Sequence, residues 1–300
     1  MKAYQPFPSL REGDHIRILC TARSVEAVDL QPAKEWLSSL GFQVSLGKTI
    51  GKKDHQYGGT NEERLIDFME ALKDENVNAI WIARGGYGTV KMVDQIDLSI
   101  LKGKNKLLIG YSDVTHLHGL WQRNDLQSMH AFMPREIGEK SKAVRESFQY
   151  AATQSPQNFT IPNTQHLKPV TLKAPLVGGN LSVLVSMLGS ATFPELDGHF
   201  LFIEDLDELL YHVDRMVTVL KRAGKLARLK GLIVGGFTDI KDHDTPFGKT
   251  VEEIIQEHTA GYSYPVIYGF PAGHVVDNYS FALGKDITVS IKKEYITISQ

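Results

Sequence analysis

The chain has little that would tie it to an oxidising compartment, a polyanion or a bilayer. Its single cysteine, Cys20, cannot form an internal disulfide and points to a reducing setting. Cys20 directly follows the strand-like run HIRIL, so it reads as a buried, inert thiol. Neither sign of charge is in excess: 33 Lys and Arg against 35 Asp and Glu leave a net charge of −2. That balance offers no electrostatic footing for nucleic acid or an anionic membrane surface. The opening stretch MKAYQPFPSLREGD contains no apolar h-region, so no signal peptide is expected. One uncharged run, Ala174 to Pro194, is long enough to raise the question of a bilayer. Its glycines, serines, Asn180 and flanking prolines argue instead for a buried helix from about Asn180, ending before Gly189. The expectation is a cytoplasmic protein with no nucleic-acid or membrane partner. No internal repeat or low-complexity segment is present.

What the chain does contain is room for a large core, with 300 residues of which 42% are hydrophobic. Strand and helix signals alternate through the first half. DHIRILCTA, FQVSL, AIWIA and KLLIG read as strands, the last two as apolar runs closed by turn residues. Between them, LQPAKEWLSSLGF places Pro32 in a first helical turn and Gly41 at a C-terminal cap. TNEERLIDFMEAL carries a capping box from Thr60 to Glu63. Such alternation predicts an α/β domain with a parallel sheet and ligands near the carboxyl ends of its strands. This domain is expected over residues 1–155. Residues 156–175, punctuated by proline and rich in Asn, Gln and Thr, read as a linker. Residues 176–300 then read as a smaller β-rich domain. Its strands are HFLFIED, GLIVGG and YPVIYG, followed by a terminal hairpin of DITVSI and YITISQ; a helix is expected from about Leu206 to Ala223.

Four strand ends carry chemistry. In AIWIARGGYGTV a buried strand runs into Arg84, Gly85, Gly86, Tyr87 and Gly88, where backbone amides can approach an anion or an oxyanion. The loop lacks the Walker A ending and the dinucleotide fingerprint, and it follows the third strand instead of the first, which disfavours a nucleotide-binding Rossmann domain. In LLIGYSDVTHLHGLW a strand turns sharply into a helix with Ser112 at the turn. That is the layout of a nucleophile elbow, although Val114 stands where a second glycine is usual. Taken alone, the stretch favours Ser112 as a helix cap, since Ser and Asp are preferred at that position. His116, four residues on, could share a helical face with Ser112; a metal site from His116, His118 and His130 is disfavoured, because side chains two apart on a helix diverge. HFLFIED ends in Glu204–Asp205, with Asp207, Glu208, Asp214 and Arg215 read as helix-surface charges. Finally, YPVIYGFPAGH delivers His274 on a Pro/Gly loop after a strand, a suitable place for a general base. Ser, Glu and His thus each close a strand, and triads are recognised by geometry whatever their sequence order.

These stretches, taken together, resemble the LD-carboxypeptidase family of serine peptidases, which includes the microcin C immunity peptidases. The likeness runs through LREGDHIRILCTA, GTNEERLIDFMEAL, ARGGYGTV, IGYSDVT, LVGGNLSVL, LFIEDLDE, LKGLIVGGFTD and the closing GFPAGH…N…ALG, whose asparagine is Asn278, with Thr21–Ala22 replacing the usual Pro-Ser. The resemblance implies an α/β N-terminal domain with a flavodoxin-like parallel sheet, a β-rich C-terminal domain and a site between them. It implies Ser112 as nucleophile, Glu204 and His274 completing the triad, and an oxyanion hole from the amides of Gly86 and Asp113, with Gly85 beside it. Arg84 is a candidate for a substrate carboxylate. No metal or cofactor is implied, and a homodimer is. The implied substrate is a murein tetrapeptide, cut before D-Ala during cell-wall recycling. A self-immunity peptidase acting on peptidyl- or aminoacyl-nucleotides is the alternative, with Tyr87 or Trp121 as possible base platforms. A non-catalytic anion-binding protein is the more distant one. One departure concerns the pocket: HAFMP, His130 to Pro134, stands where many members carry HGPM, so Ala131 and Phe132 replace Gly and Pro.

Overall fold

The computed structural model describes residues 3–300. Two sheets form the molecule. The first is built on β1 (His15–Leu19), β2 (Gln43–Leu46), β3 (Val77–Ile82), β4 (Leu107–Gly110) and β5 (Ser128–His130). These five are parallel and run in the spatial order 2-1-3-4-5, the flavodoxin arrangement. Helices α1 (Gln31–Ser39), α2 (Asn61–Lys73), α3 (Thr115–Arg123) and α4 (Lys142–Ala152) accompany them. The capping box of α2 forms as the sequence predicts, with Thr60 accepting from the Glu63 amide and Glu63 accepting from the Thr60 amide. β3 and β4 are buried on both faces, which is why they read as unbroken apolar runs.

The second sheet is mixed. β6 (Asn158–Pro162) and β7 (Val170–Asn180) are followed by α5 (Leu181–Ser186), β8 (Phe200–Leu206), α6 (Leu210–Arg222), β9 (Gly231–Thr238), α7 (Val251–Thr259) and β10 (Val266–Ile267). β7 to β10 are parallel; β12 (Asp286–Ile291) and β13 (Tyr295–Ser299) form the expected hairpin, and β6 pairs with β13. The stretch read as a linker therefore contains β6 and the start of β7. The helix expected from Leu206 starts at Leu210, because the apolar strand before it continues through Leu206. The uncharged Ala174–Pro194 run is a strand end and a short helix, and among the described residues no helix is long and apolar enough to cross a membrane.

One strand breaks the division by chain order. β11 (Phe281–Leu283) belongs to the second half of the sequence yet pairs antiparallel with β5, closing the edge of the first sheet. The last residue pair in register sets Phe281 opposite His130. The chain between Gly273 and Ser280 is thereby anchored at one end to the first sheet.

Candidate active site

All four strand ends singled out in the sequence meet where the two sheets face each other. Ser112 is set by its backbone. β4 ends at Gly110 with φ +157°, and a Cβ there would stand 2.8 Å from a methyl of buried Val114. Ser112 itself has φ +61°, a left-handed conformation that costs a non-glycine residue about 1–3 kcal/mol. This explains why Ser112 is not a helix cap: a cap needs an extended backbone, and the turn that opens here has no side-chain cap bond. The strained turn holds the hydroxyl out toward the second sheet.

The partner there is His274. Its Nε2 lies 3.1 Å from Ser112 Oγ, and its Nδ1 lies 2.6 Å from Glu204 Oε2. The carboxylate can only accept, so Nδ1 carries the proton and Nε2 is left to accept from the serine. Glu204 is fully buried at the end of β8 and accepts a second bond, 3.2 Å, from the His274 amide. Gly273 has φ +111°, and a Cβ on it would stand 2.6 Å from Glu204 Cβ. Only glycine lets the loop come this close. Thr238 Oγ1 donates to the His274 carbonyl at 2.9 Å and fixes the loop from β9. Burial alone would lower the imidazole pKa; the bond to Glu204 and the charges of Glu204, Asp205 and Glu136 outweigh it and raise the pKa above the ordinary histidine value.

The period of the strand separates Glu204 from its neighbour. Asp205 points the other way, accepting from Asn180 Nδ2, the Ser182 amide and the Leu206 amide, each at 2.9 Å. Burial, then the charge of Glu204, pushes its carboxyl up to about 6. The GGN end of β7 serves close packing: a Cβ on Gly179 would stand 2.5 Å from Thr115 Oγ1, and the Asn180 amide donates to that same oxygen at 3.0 Å. This contact ties the second sheet to the start of α3, three residues from Ser112. Of the charges expected on the helix surface, Asp207 and Glu208 lie instead in the turn before α6, which starts at Leu210, where Asp207 pairs with Lys241 and Glu208 with His212; on the helix Asp214 pairs with His258 and Arg215 lies over the Tyr211 ring.

The glycine loop runs beside the serine. A Cβ on Gly85 would lie 3.1 Å from Ser112 Oγ, and Gly86 has φ +109°. Asp113 couples this loop to the serine turn: its buried carboxylate accepts from the Thr89 amide at 2.9 Å, and Thr89 Oγ1 bonds Thr21 Oγ1 at 2.9 Å. Burial raises the Asp113 pKa against these bonds. Arg84 is half-buried beside the loop. Burial, then the positive charges of Arg135 and Arg23, lowers its pKa, so three guanidinium groups share this rim.

The histidines of α3 are occupied elsewhere. Burial pushes His116 down to about 4, and no bond joins it to Ser112. His118 bridges the Gly110 carbonyl and Ser128 Oγ, at 2.9 and 2.8 Å. Among the described residues no group of three or more His, Cys, Asp or Glu is arranged to hold a metal ion. Cys20 is buried, and burial pushes its thiol up to about 12. Ala131 and Phe132 face the core and not the site: Phe132 packs on Trp36, Trp81 and Phe148, and its carbonyl accepts from Trp81 Nε1 at 3.0 Å. Trp121 is likewise buried, while Tyr87 is half exposed next to Gly86. What the sequence reading missed is a second bridge between the sheets through His130 and Asn278. The prior signals were the histidine opening HAFMP and the asparagine of the closing GFPAGH…N…ALG stretch, neither of which was given a role.

Comparison with known proteins agrees with this architecture. Residues 16–131 match the LD-carboxypeptidase N-terminal domain and residues 173–289 the C-terminal domain. A "Probable murein peptide carboxypeptidase" of Bacillus subtilis is 33% identical over 94% of this chain and 90% of its own. The microcin C7 self-immunity protein of Escherichia coli is 26% identical over 89% of this chain and 86% of its own. The crystal structure of muramoyltetrapeptide carboxypeptidase from Oxalobacter formigenes superposes with a TM-score of 0.87 at 27% identity, covering 95% of this chain and 98% of that one. With both halves matched in order, this chain belongs to the LD-carboxypeptidase family.

Proposed function

We propose that the protein is a serine carboxypeptidase that releases D-Ala from a murein tetrapeptide, acting through Ser112, His274 and Glu204. The observation that carries this reading is the unbroken chain from Ser112 Oγ through the His274 ring to a fully buried Glu204, at 3.1 and 2.6 Å. His274 Nε2 takes the Ser112 proton as Oγ attacks the carbonyl before the terminal D-residue. The amides of Gly86 and Asp113 receive the oxyanion, with Gly85 leaving room for it. His274 then gives the proton to the leaving amine, and D-Ala departs. Water, deprotonated by His274, cleaves the acyl-enzyme and restores the serine. Arg84 is the partner for the substrate's terminal carboxylate, an assignment supported by the shared positive rim with Arg23 and Arg135. In this reading the enzyme works in the cytoplasm on recycled wall peptides, as a homodimer and without a metal or cofactor.

A second reading rests on the similarity to the microcin self-immunity protein and on Tyr87, an exposed ring at the loop that could stack a nucleobase. An assay of purified protein on murein tetrapeptide and on an aminoacyl-sulfamoyl adenylate, with Ser112→Ala as control, separates the two. D-Ala release by the wild type but not by Ser112→Ala is expected. Cleavage of the adenylate alone selects the second reading. Equal behaviour of wild type and Ser112→Ala on both substrates overturns the peptidase assignment.

A further inference from the structure

A second side-chain bridge crosses between the sheets behind His274, and it uses residues outside the Ser–His–Glu chain. Asn278 is fully buried, and its Oδ1 accepts two bonds: 2.9 Å from the Gly273 amide and 3.1 Å from His130 Nε2. His130 ends β5 and is held on three sides. Its backbone pairs with Phe281 of β11, its ring stacks on the Phe281 ring at 4.7 Å and 13°, and its edge meets Tyr111 at 5.6 Å. Burial, then the neighbouring His118, pushes its pKa down to about 3, so the ring is neutral and the proton that bonds Asn278 sits on Nε2. The Gly273 amide at the far end of the bridge belongs to the residue whose left-handed turn brings His274 against Glu204.

We infer that His130 and Asn278 are positioning residues: through the Gly273 amide they set the loop that carries His274, so that Nε2 faces Ser112. The bridge refers the base to the sheet that holds the nucleophile. Glu204, at the end of β8, refers it only to the other sheet. Without the bridge the loop keeps its carboxylate contact and loses its register against Ser112. A displacement of about 1 Å at a reacting pair can cost about 100-fold in turnover. This inference rests on the triad reading given above.

The test measures kcat and KM for D-Ala release from murein tetrapeptide, together with thermal midpoints. His130→Phe keeps a ring on Phe281 and removes the donor; His130→Gln returns a donor close to the same place. The expected result is a fall of roughly 10- to 100-fold in kcat for His130→Phe with KM within about twofold, and recovery to within about threefold of wild type in His130→Gln. Asn278→Ala should lose as much as His130→Phe, and the double variant no more than either single change. A His130→Phe enzyme within twofold of wild-type kcat overturns the inference, as do multiplicative losses in the double variant. If His130→Phe does not fold, His130→Gln against Asn278→Ala decides: equal activities overturn the bridge, and a tenfold gap supports it. Activity retained by Ser112→Ala would sink the triad reading itself, an outcome distinct from intact activity in the His130 and Asn278 variants.

Discussion

The two halves of the site are held by different means. On the first sheet, Ser112 and the glycine loop are placed by backbone conformation: Gly110, Ser112 and Gly86 all have positive φ, and Ser112 makes no capping bond. On the second sheet, His274 is placed by side chains: a buried carboxylate, a threonine hydroxyl and an asparagine hold its loop. Backbone strain fixes a direction and has no charge to titrate. Hydrogen bonds to a buried carboxylate fix a direction and also tune a pKa. The proposed nucleophile, whose hydroxyl must be neutral, is held by the first means. The proposed base, whose protonation state matters, is held by the second.

Breaking the side-chain half at its charge should have the largest effect. Glu204→Gln leaves the shape and removes what orients the imidazole, and comparable triads lose about 10⁴-fold in kcat at neutral pH. The pH profile sharpens the point. His274 has a raised pKa, so the wild-type kcat/KM should climb with pH through a value above the ordinary 6.5; without the carboxylate that limb moves to lower pH. The sign carries to stability as well. A raised histidine pKa favours the folded state below pH 6.5, and that gain is lost as pH rises through the folded value. Wild type should therefore exceed Glu204→Gln in thermal midpoint by more at pH 6 than at pH 9. A pH-independent difference would show that the carboxylate acts through packing alone.

Gly273→Ala comes next. It strains φ +111° and drives a methyl into Glu204, so a loss of about 100-fold in kcat is expected with the fold retained by circular dichroism. Arg84→Gln touches neither means of support and should act on binding: KM for the tetrapeptide rises roughly tenfold while kcat stays within about twofold, the size of one charge-assisted bond. An equal fall in kcat would mean that Arg84 shapes the glycine loop and not the substrate. The smallest effect belongs to Asp113→Asn. The amide oxygen still accepts from Thr89, so kcat should change by about twofold and stability by about 1 kcal/mol, measured by urea denaturation.

Much of this was legible in the sequence because buried parallel strands announce themselves as apolar runs, as β3, β4 and β8 do. The ends of β4 and β8 and the loop after β10 pointed at Ser112, Glu204 and His274 one by one. Local pattern could not join them: it favoured a cap for Ser112 and offered His116 as its base. The positive φ that excludes the cap is a backbone property no residue pattern spells out, and His116 is buried with no bond to Ser112. The family likeness supplied the joining. β6 hid in a polar, proline-marked stretch although Asn158 to Pro162 alternates exposed and buried residues. β11 was illegible for a different reason: three residues carry no period, and their partner strand lies 150 residues upstream. The substitution of Ala131 and Phe132 raised a doubt about the pocket that their burial in the first core removes.

The placement of β11 also orders events during synthesis. The turn bearing Ser112 leaves the ribosome before residues 273–283, and until they follow its sheet has an open edge and the proposed base is absent. A growing chain can therefore complete most of the first sheet first, and on the proposed triad hydrolytic competence waits for residues 273–283. On that reading no activated serine is exposed to neighbouring nascent chains before that segment is made.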